Sequence, residues 1–514
     1  MGNNQHNNKR IAKNTIFLYF RMMLIMLISL YTSRVILQTL GVVDYGVYNV
    51  VGGTVAMFGF IAGPMAGATQ RYLTFALGSG DNDNLNKIFS TCLNIYVIAS
   101  FVILILCETL GLWFLYEKMQ IPEVSINAAF WIFQCSIAST IVMLMTVPFH
   151  AIIIAYEKMS AFAFISIFEA ISKLSVAMFL KNAGNDKLIV YALMMLFVQF
   201  FSCLCYVIYS NRHFKESKYH FYWNRNLFCE ISSFAGWSLF GNLAAMGYSQ
   251  GLNILLNIFF GPAVNAARGI AVQVQSAVCQ FVTNFQMAIN PQITKSYASG
   301  DTAYMHSLVE RSSRFSFFLI FLLSLPFLIE THFVLSLWLG NVPEYTVPFL
   351  RIILLTTWIT SLANPLITCV LATGYVRQYQ QVVGCVLLLI VPISYVFLKL
   401  GYAPQTVFWT HLAIEIVALC IRLFMLRKMI NLSFSYYLSK VVKRLIEVAL
   451  ISLPIPIYLH RCLDEGLFRF LIVGIVSVVV VSLIILYIGV TENEKKFITN
   501  KVINIITNND KRKT

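Results

Sequence analysis

The sequence predicts an all-α, polytopic membrane protein, and three observations support this prediction. Hydrophobic residues make up 58% of the 514 residues and charged residues only 11%, whereas a soluble protein has about 25% charged residues. Fourteen apolar runs are present, and a helix needs about 20 mostly apolar residues to cross a bilayer. The basic residues between these runs are concentrated on alternate sides. So few charges could not cover the surface of a soluble fold of this size.

The fourteen predicted spans follow one another with short polar connections. The polar stretch 1–15 precedes the first run, which has no small-residue cleavage site and is therefore predicted to be a retained span. The second and eighth runs are the weakest, because they are rich in Gly, Ala, Asn and Gln. The predicted spans are 16–40, 45–78, 87–114, 126–148, 159–180, 188–210, 228–259, 263–296, 307–331, 346–372, 379–399, 405–426, 441–460 and 467–489.

The lysines and arginines orient these spans. With the amino terminus in the cytoplasm, 24 of the 37 basic residues fall on the cytoplasmic side, 6 (Lys118 among them) on the other side and 7 inside spans. Cytoplasmic loops of membrane proteins carry an excess of Lys and Arg, so both termini are predicted to be cytoplasmic. The net charge of +15 then reflects membrane topology, and nucleic acid, which basic patches bind in soluble proteins, is not a predicted partner.

An internal repeat divides the spans into two predicted lobes. Gly41 and Gly261 follow the first and seventh spans in predicted turns 220 residues apart, and Asp44 in the first turn is predicted to be a loop or capping residue. A Ser-Gly-Asp sequence at 79–81 recurs at 299–301. Six spans per repeat make it parallel. The predicted parts are an N-terminal lobe of six helices (1–210), a cytoplasmic linker (211–227), a C-terminal lobe of six helices (228–428), and two further helices with a basic cytoplasmic tail (429–514).

Local motifs of the first lobe resemble those of a known transporter family. The basic stretch 9–15 leads into span one, and 40–46 contains Leu-Gly and Asp-Tyr-Gly. The second span contains Gln70-Arg71-Tyr72 and is followed by the Ser-Gly-Asp sequence. With the span count and the repeat, these motifs resemble the Wzx-type polysaccharide transporters of the MOP flippase superfamily, which also contains the MATE exporters.

The resemblance implies a MATE-like fold and a flippase that uses alternating access through a cavity between the lobes. Its substrate would be an undecaprenyl-pyrophosphate-linked oligosaccharide, a repeat unit of lipopolysaccharide, capsule or exopolysaccharide. The protein would lie in the bacterial inner membrane as a multi-pass monomer. Its partners would be this lipid-linked substrate, membrane lipids and other polysaccharide assembly proteins. The sugar composition stays open.

Seven basic residues lie inside predicted spans, where each costs roughly 2.5–3.5 kcal/mol at a helix centre on insertion scales. Arginine binds phosphate oxygens bidentately, and we predict that three arginines line the cavity and contact the substrate: Arg34, Arg71 and Arg268. For Arg21, snorkelling to the interface is the plain alternative to a role in the cavity. The other three are predicted to be structural, with Lys173 paired to Glu169, Arg422 paired to Glu415, and Arg351 at the interface.

Amide side chains mark one face of span seven. Gln250, Asn253 and Asn257 follow one another at spacings of three and four, and Gln273 and Gln286 continue the pattern less regularly on span eight. In hydrocarbon such groups need partners, which are either interhelical hydrogen bonds or a hydrated surface for sugar hydroxyls. We predict that Gln250, Asn253, Asn257 and Gln273 line the cavity.

No enzyme, cofactor or metal site is predicted. The sequence has no GxxxxGK[ST], HExxH or GxSxG motif and no His/Cys cluster at ligand spacing. Coupling to Na⁺ or H⁺ stays open, because no embedded carboxylate has an ion-site pattern. One alternative is a MATE-type cation-coupled exporter of small molecules, which would need acidic spans. The other is a membrane-embedded polysaccharide polymerase or acyltransferase, which would need a large external loop or a partnered histidine within a span.

Overall fold

The computed structural model describes residues 2–117, 126–182, 186–492, 494 and 495, and every regular element in these ranges is a helix. Short 3₁₀ or π turns join several of them. The helices are α1 (Gly2–Ala56), α2 (Ala62–Ser79), α3 (Asn82–Leu106), α4 (Leu112–Glu117), α5 (Ile126–Ala155), α6 (Met159–Phe179), α7 (Lys187–His213), α8 (Arg225–Phe260), α9 (Pro262–Ala298), α10 (Thr302–Ile329), α11 (Thr331–Leu339), α12 (Thr346–Thr373), α13 (Val376–Leu388), α14 (Ile390–Lys399), α15 (Thr406–Ile430), α16 (Phe434–Tyr437), α17 (Lys443–Ser452), α18 (Pro454–Cys462) and α19 (Leu467–Ile484).

Eleven helical segments of the described chain are long and apolar enough to cross a membrane. They match eleven of the fourteen predicted spans to within two residues at the ends where a span extends beyond its helix, which confirms a multi-pass, all-α fold. The second and eighth spans are helical but too polar for this criterion, in keeping with their Gly, Ala, Asn and Gln content. The thirteenth is divided between short helices by the π turn Leu438–Val442 and by Pro454, which begins α18.

One predicted turn is absent. The sequence predicts a turn at 41–46, but the helical backbone of α1 continues through it and breaks only at the 3₁₀ segment Met57–Ile61. The prediction that Asp44 is a loop or capping residue is therefore wrong. One face of the helix keeps packing across this region, because buried valines recur at every fourth position, at Val47, Val51 and Val55.

The other glycines of the repeat do end helices. Gly261 separates α8 from α9 at a φ of 80°, and Gly80 and Gly300 follow α2 and α9 at φ values of 74° and 77°. This left-handed backbone favours glycine. Each Ser-Gly-Asp sequence then caps the next helix, since Asp81 accepts from the backbone N–H of Asn84 at 3.3 Å and Asp301 from that of Tyr304 at 3.0 Å. The two sequences thus share one local structure.

The chain forms two compact units. The first comprises Met1–Leu243, Met287–Met305 and Leu371–Gln381, and α5 packs on α7 and α1 on α6 within it. The second comprises Ala244–Gln286, His306–Val370 and Val382–Thr514, where α14 packs on α15 and α18 on α19. The division into lobes at 210 and 228 stays a prediction.

In the first unit, the predicted linker lies along α3. Asn86 Nδ2 donates to the carbonyl oxygens of Glu216 and Lys218, at 2.9 and 2.7 Å. Tyr156, beyond the end of α5, donates its hydroxyl to the Glu216 carboxylate at 3.1 Å. Burial, together with the nearby Glu216 charge, raises the pKa of Tyr156 to about 12, which favours the protonated phenol that donates this hydrogen bond.

In the second unit, buried ion pairs attach the last two predicted spans to α10 and its C-terminal end. The carboxylate of Glu330 is 2.7 Å from His460 Nδ1 and accepts a hydrogen bond from Arg469 Nη2 at 2.9 Å. Arg314 donates to the carbonyl oxygen of Gly489 and to the Glu494 carboxylate, both at 2.9 Å. The predicted basic tail beyond 495, and Lys118, lie outside the described residues.

Candidate functional site

Four helices of the first unit, α1, α5, α6 and α7, line an open cavity of about 390 Å³ that we call the Arg21 pocket. Residues three or four apart share a helix face, and the sequence places polar groups at this spacing on α6, at Ser166, Glu169 and Lys173. The polar part of the wall consists of Arg21, Ser29, Thr32, Ser33, His150, Ser166, Glu169, Lys173 and Tyr206.

Arg21 is positioned in this pocket by an aromatic ring. Its guanidinium lies over Phe162, 4.5 Å from the ring centroid, and its buried Nε has no hydrogen-bond partner among the described residues. A cation–π contact contributes roughly 0.5–2 kcal/mol, which does not replace the hydrogen bonds that a buried donor loses to water. Arg21 therefore has a buried donor that its contact with Phe162 does not satisfy.

Glu169 is the carboxylate of the pocket, and each of its two oxygens already accepts a hydrogen bond. Lys173 Nζ donates to it at 2.6 Å from the next turn of α6, and Ser202 Oγ donates at 3.0 Å. The predicted Glu169–Lys173 pair is therefore confirmed, as is the predicted pair of Arg422 and Glu415, at 3.0 Å in the second unit. A cation would have to displace Lys173 to bind here.

His150 contributes a second polar atom without a partner. Its ring lies edge-on to Tyr206, with centroids 4.1 Å apart, and close to Phe162 at 5.5 Å. Its buried Nε2 has no hydrogen-bond partner in the part of the chain that the structure describes. Buried polar atoms are almost always hydrogen-bonded, so His150 Nε2 and Arg21 Nε are two exceptions at the same pocket.

The charge of the pocket is positive. Arg21 and Lys173 supply two cations and Glu169 one anion, so the charges of these three side chains sum to +1. A cleft of one sign with low-dielectric walls concentrates counter-ions of the opposite sign. The Arg21 pocket therefore suits an anionic group.

Two of the arginines predicted to contact substrate lie apart from this pocket. Arg34 is exposed on α1, and because it follows the pocket residue Thr32 by two positions, it lies on another face of the helix. Arg268, in the second unit, donates to the carbonyl and hydroxyl oxygens of Ser249, at 2.9 and 3.1 Å, while its buried Nε has no partner among the described residues. Substrate contact by both stays a prediction.

The third predicted arginine, Arg71, lines a different cavity of the first unit. Its Nε donates to the carbonyl oxygen of Leu371 and its Nη2 to that of Ala372, both at 3.2 Å. These carbonyls belong to the last turn of α12, whose dipole favours a cation. Arg71 is thus held by backbone acceptors 300 residues away.

The amides of spans seven and eight divide into two groups within the second unit. Gln286 is buried and bonds across helices, donating to Ser316 Oγ at 2.9 Å and accepting from Asn364 at 2.8 Å. The four amides predicted to line the cavity make no hydrogen bond in the described part of the chain, and three of them are exposed: Gln250, Asn257 and Gln273, with Asn253 half-buried. Span eight thus provides both predicted kinds of amide, bonded and unbonded.

A fully buried carboxylate of the first unit, Glu157, has a different environment from Glu169. Glu157 lies in the turn between α5 and α6 at a φ of 58°, and its side chain is 0% exposed. Donors from α1 and α9 surround it, forming what we call the Glu157 cluster. Its contacts are Arg10 Nε at 2.7 Å, Lys295 Nζ at 2.8 Å and Gln292 Nε2 at 2.7 Å to the carboxylate, and Asn14 Nδ2 at 3.1 Å to the carbonyl oxygen.

Sequence reasoning missed His150 and the Glu157 cluster, and it left Arg21 between two roles. A signal for Arg21 was present, because Ser29 and Thr32 follow it at spacings of eight and eleven, which keep them near one helix face. The cluster had no such signal, because the residues that donate to Glu157 are 135 to 147 positions away from it in the sequence.

The fold can be compared with known proteins. No protein-family model and no curated protein matches the sequence. Among solved structures, the chain is similar to a MATE transporter in the bent conformation (TM-score 0.72, 12% identity, 83% of this chain and 96% of that one). It is also similar to a MOP superfamily transporter from Pyrococcus furiosus (0.69, 13%, 83% and 96%) and to the Vibrio cholerae MATE transporter VcmN in the bent form (0.67, 15%, 86% and 100%). The chain therefore has the MATE transporter fold, as predicted, and function must be argued from the site.

Proposed function

We propose that this chain is a flippase that carries an undecaprenyl-pyrophosphate-linked oligosaccharide across the bacterial cytoplasmic membrane by alternating access. The observation that carries the proposal is the Arg21 pocket, a positively charged cavity among membrane-spanning helices. Arg21 is held there by a ring and keeps a donor without a partner. A pyrophosphate supplies the acceptors that an arginine fork matches bidentately.

The Glu157 cluster supports alternating access. Arg10 and Glu157 belong to the predicted N-terminal lobe and Lys295 to the predicted C-terminal lobe, and their ion pairs join the ends of helices that the charge pattern assigns to the cytoplasm. At the same end α2 and α9 are in close contact, since a Cβ on Gly78 would lie 2.8 Å from the Lys295 carbonyl oxygen. We propose that this contact is the cytoplasmic gate, which opens when the lobes move apart.

The polar groups of the second unit suit the rest of the substrate. Amides without partners hydrogen-bond readily to hydroxyls, so in this proposal Gln250, Asn253, Asn257 and Gln273 bind the sugars. In the same proposal, Arg34 and Arg71 of the first unit and Arg268 of the second neutralise phosphate or acidic sugars along the transport path. The chain then acts as a transporter without cofactor or chemistry of its own.

A cation-coupled drug exporter is the alternative that shares this fold, and the Arg21 pocket does not favour it. Such a protein needs a carboxylate that can take up the cation, whereas Glu169 is neutralised by Lys173 and bonded to Ser202. For the Pyrococcus furiosus neighbour, a reverse polarity of the binding pocket suggests a different function. Binding pockets of different polarity therefore occur on this fold.

The test is export of surface polysaccharide by a deletion strain that carries variants of the chain. Arg21→Ala is expected to abolish export. Arg21→Lys is expected to restore part of it, because the point charge of a lysine ammonium replaces the bidentate guanidinium only partly. Arg427→Ala, which removes an exposed arginine at the end of α15, is the matched control and should export normally. Membrane levels are measured for each variant. Normal export by Arg21→Ala, or ethidium efflux that depends on the chain, would contradict the proposal.

A further inference from the structure

A second cavity of about 390 Å³ lies in the first unit, walled by α2, the first turns of α8 and the turn that joins α12 to α13. We call it the loading cavity. We propose that it binds the glycosyl phosphate head group of the substrate before translocation, an inference that rests on the proposed function. The residues that carry it are Arg71, Glu230, Trp237, Gly374, Tyr375 and Arg377.

Arg71 provides a fixed cation in this cavity. Besides its two bonds to α12 carbonyls, its guanidinium lies over the rings of Tyr72 and Phe234, at 4.5 and 5.5 Å from their centroids. The turn approaches it closely at Gly374, which has a φ of 83° and where a Cβ would lie 3.0 Å from Arg71 Nη2. Both the left-handed backbone and the contact favour glycine. A cation held in place this way loses little entropy when it binds an anion.

Arg377 provides a second cation at the exposed side of the cavity. Its side chain is exposed, and its guanidinium lies 5.2 Å from the centroid of the Trp237 ring. Trp237 is half-buried, while Tyr375, which also lines the cavity, is 66% exposed. Aromatic rings give large, rigid apolar faces, which suit the C–H face of a sugar ring. The cavity thus combines cations for a phosphate with rings for a sugar.

Glu230 completes the set with an acceptor. The hydroxyl of Tyr72 donates to Glu230 Oε1 at 3.1 Å, and the exposed carboxylate has acceptor capacity left for sugar hydroxyls. With Arg71 and Arg377 the wall has a net charge of +1. The volume lies near the lower end of the roughly 300–1,000 Å³ of ligand pockets, so the cavity suits one glycosyl phosphate rather than a whole oligosaccharide.

The position of the cavity fits the start of transport. The first turn of α13, which contains Arg377, and the beginning of α8 belong to segments that the positive-inside rule assigns to the cytoplasm. A lipid-linked sugar is on that side before it is moved. In this proposal the head group first binds in the loading cavity, and the pyrophosphate then binds in the Arg21 pocket during translocation.

The experiment measures binding by the purified full chain in phosphatidylcholine nanodiscs. The probes are glucose 1-phosphate and farnesyl pyrophosphate-linked N-acetylglucosamine, one free and one lipid-borne. Arg377→Ala should weaken binding about tenfold, and Arg377→Lys should recover part of the loss. Arg427→Ala is the control. Arg71 is left unchanged because its loss would disturb α12.

The outcomes separate the two proposals. Sensitivity to Arg377→Ala with both probes, or with either one alone, supports the cavity and identifies whether the ligand is lipid-borne or free. Binding by Arg377→Ala equal to the unmodified chain overturns the loading cavity, even if export proceeds. A cavity that binds as expected in a chain that exports no polysaccharide would instead overturn the proposed function.

Discussion

The Glu157 cluster and the Arg21 pocket are built from the same kinds of side chain and differ in how these are satisfied. In each, one carboxylate lies near two cations. Glu157 is fully buried and receives bonds from Arg10, Gln292 and Lys295. In the pocket, Glu169 is satisfied by Lys173 and Ser202, but Arg21 and His150 keep buried nitrogens without partners among the described residues.

This difference separates a structural use of charge from a functional one. A buried charge whose partners are complete stabilises an arrangement of helices, and breaking it is costly. A buried donor without a partner is a cost that the fold carries for a reason such as ligand binding. The comparison predicts that changes in the Glu157 cluster act on stability and gating, whereas changes in the Arg21 pocket act on the substrate.

The largest expected effect is that of Glu157→Ala. Removing one partner of a buried ion pair costs roughly 3–5 kcal/mol, and we expect about 3 kcal/mol here because Arg10 and Lys295 are partly exposed. Hydrogen exchange should become faster at the end of α9 around Lys295, and the thermal unfolding midpoint should fall.

Glu447→Ala is the matched control for this change. Glu447 forms a partly exposed pair with Lys443 at 3.9 Å on α17, and pairs of this type are worth about 0.3–0.5 kcal/mol. Equal effects of the two substitutions on stability, with unchanged exchange in α9, would show that the Glu157 cluster is not a gate.

A smaller effect is expected from Glu169→Gln in the Arg21 pocket. The substitution removes the negative charge and keeps an acceptor for Ser202, so the net charge of the pocket rises from +1 to +2. Binding of a pyrophosphate lipid should tighten by about 1 kcal/mol, or roughly fivefold, and polysaccharide export should persist. Titration of the lipid into nanodiscs checks the first point. Loss of export with normal protein levels would instead assign Glu169 to cation coupling.

The sequence predicted those features that depend on local spacing. Apolar runs predicted the helices, and side chains four or seven apart predicted the pairs Glu169–Lys173 and Glu415–Arg422. Features assembled from distant segments escaped it. Nothing around Arg71 indicates that its partners are the carbonyls of α12, and the turn at 41–46 was predicted from glycines that a packed helix can contain.

The most direct measurement is a cryo-EM reconstruction of the chain in nanodiscs with an undecaprenyl-pyrophosphate-linked disaccharide. We predict density for the pyrophosphate in the Arg21 pocket, with oxygens roughly 2.7–3.2 Å from the Arg21 guanidinium, and its loss in Arg21→Ala. Lipid density elsewhere in a reconstruction whose Arg21 pocket is empty, or unchanged density in Arg21→Ala, would contradict the assignment of this pocket to the substrate.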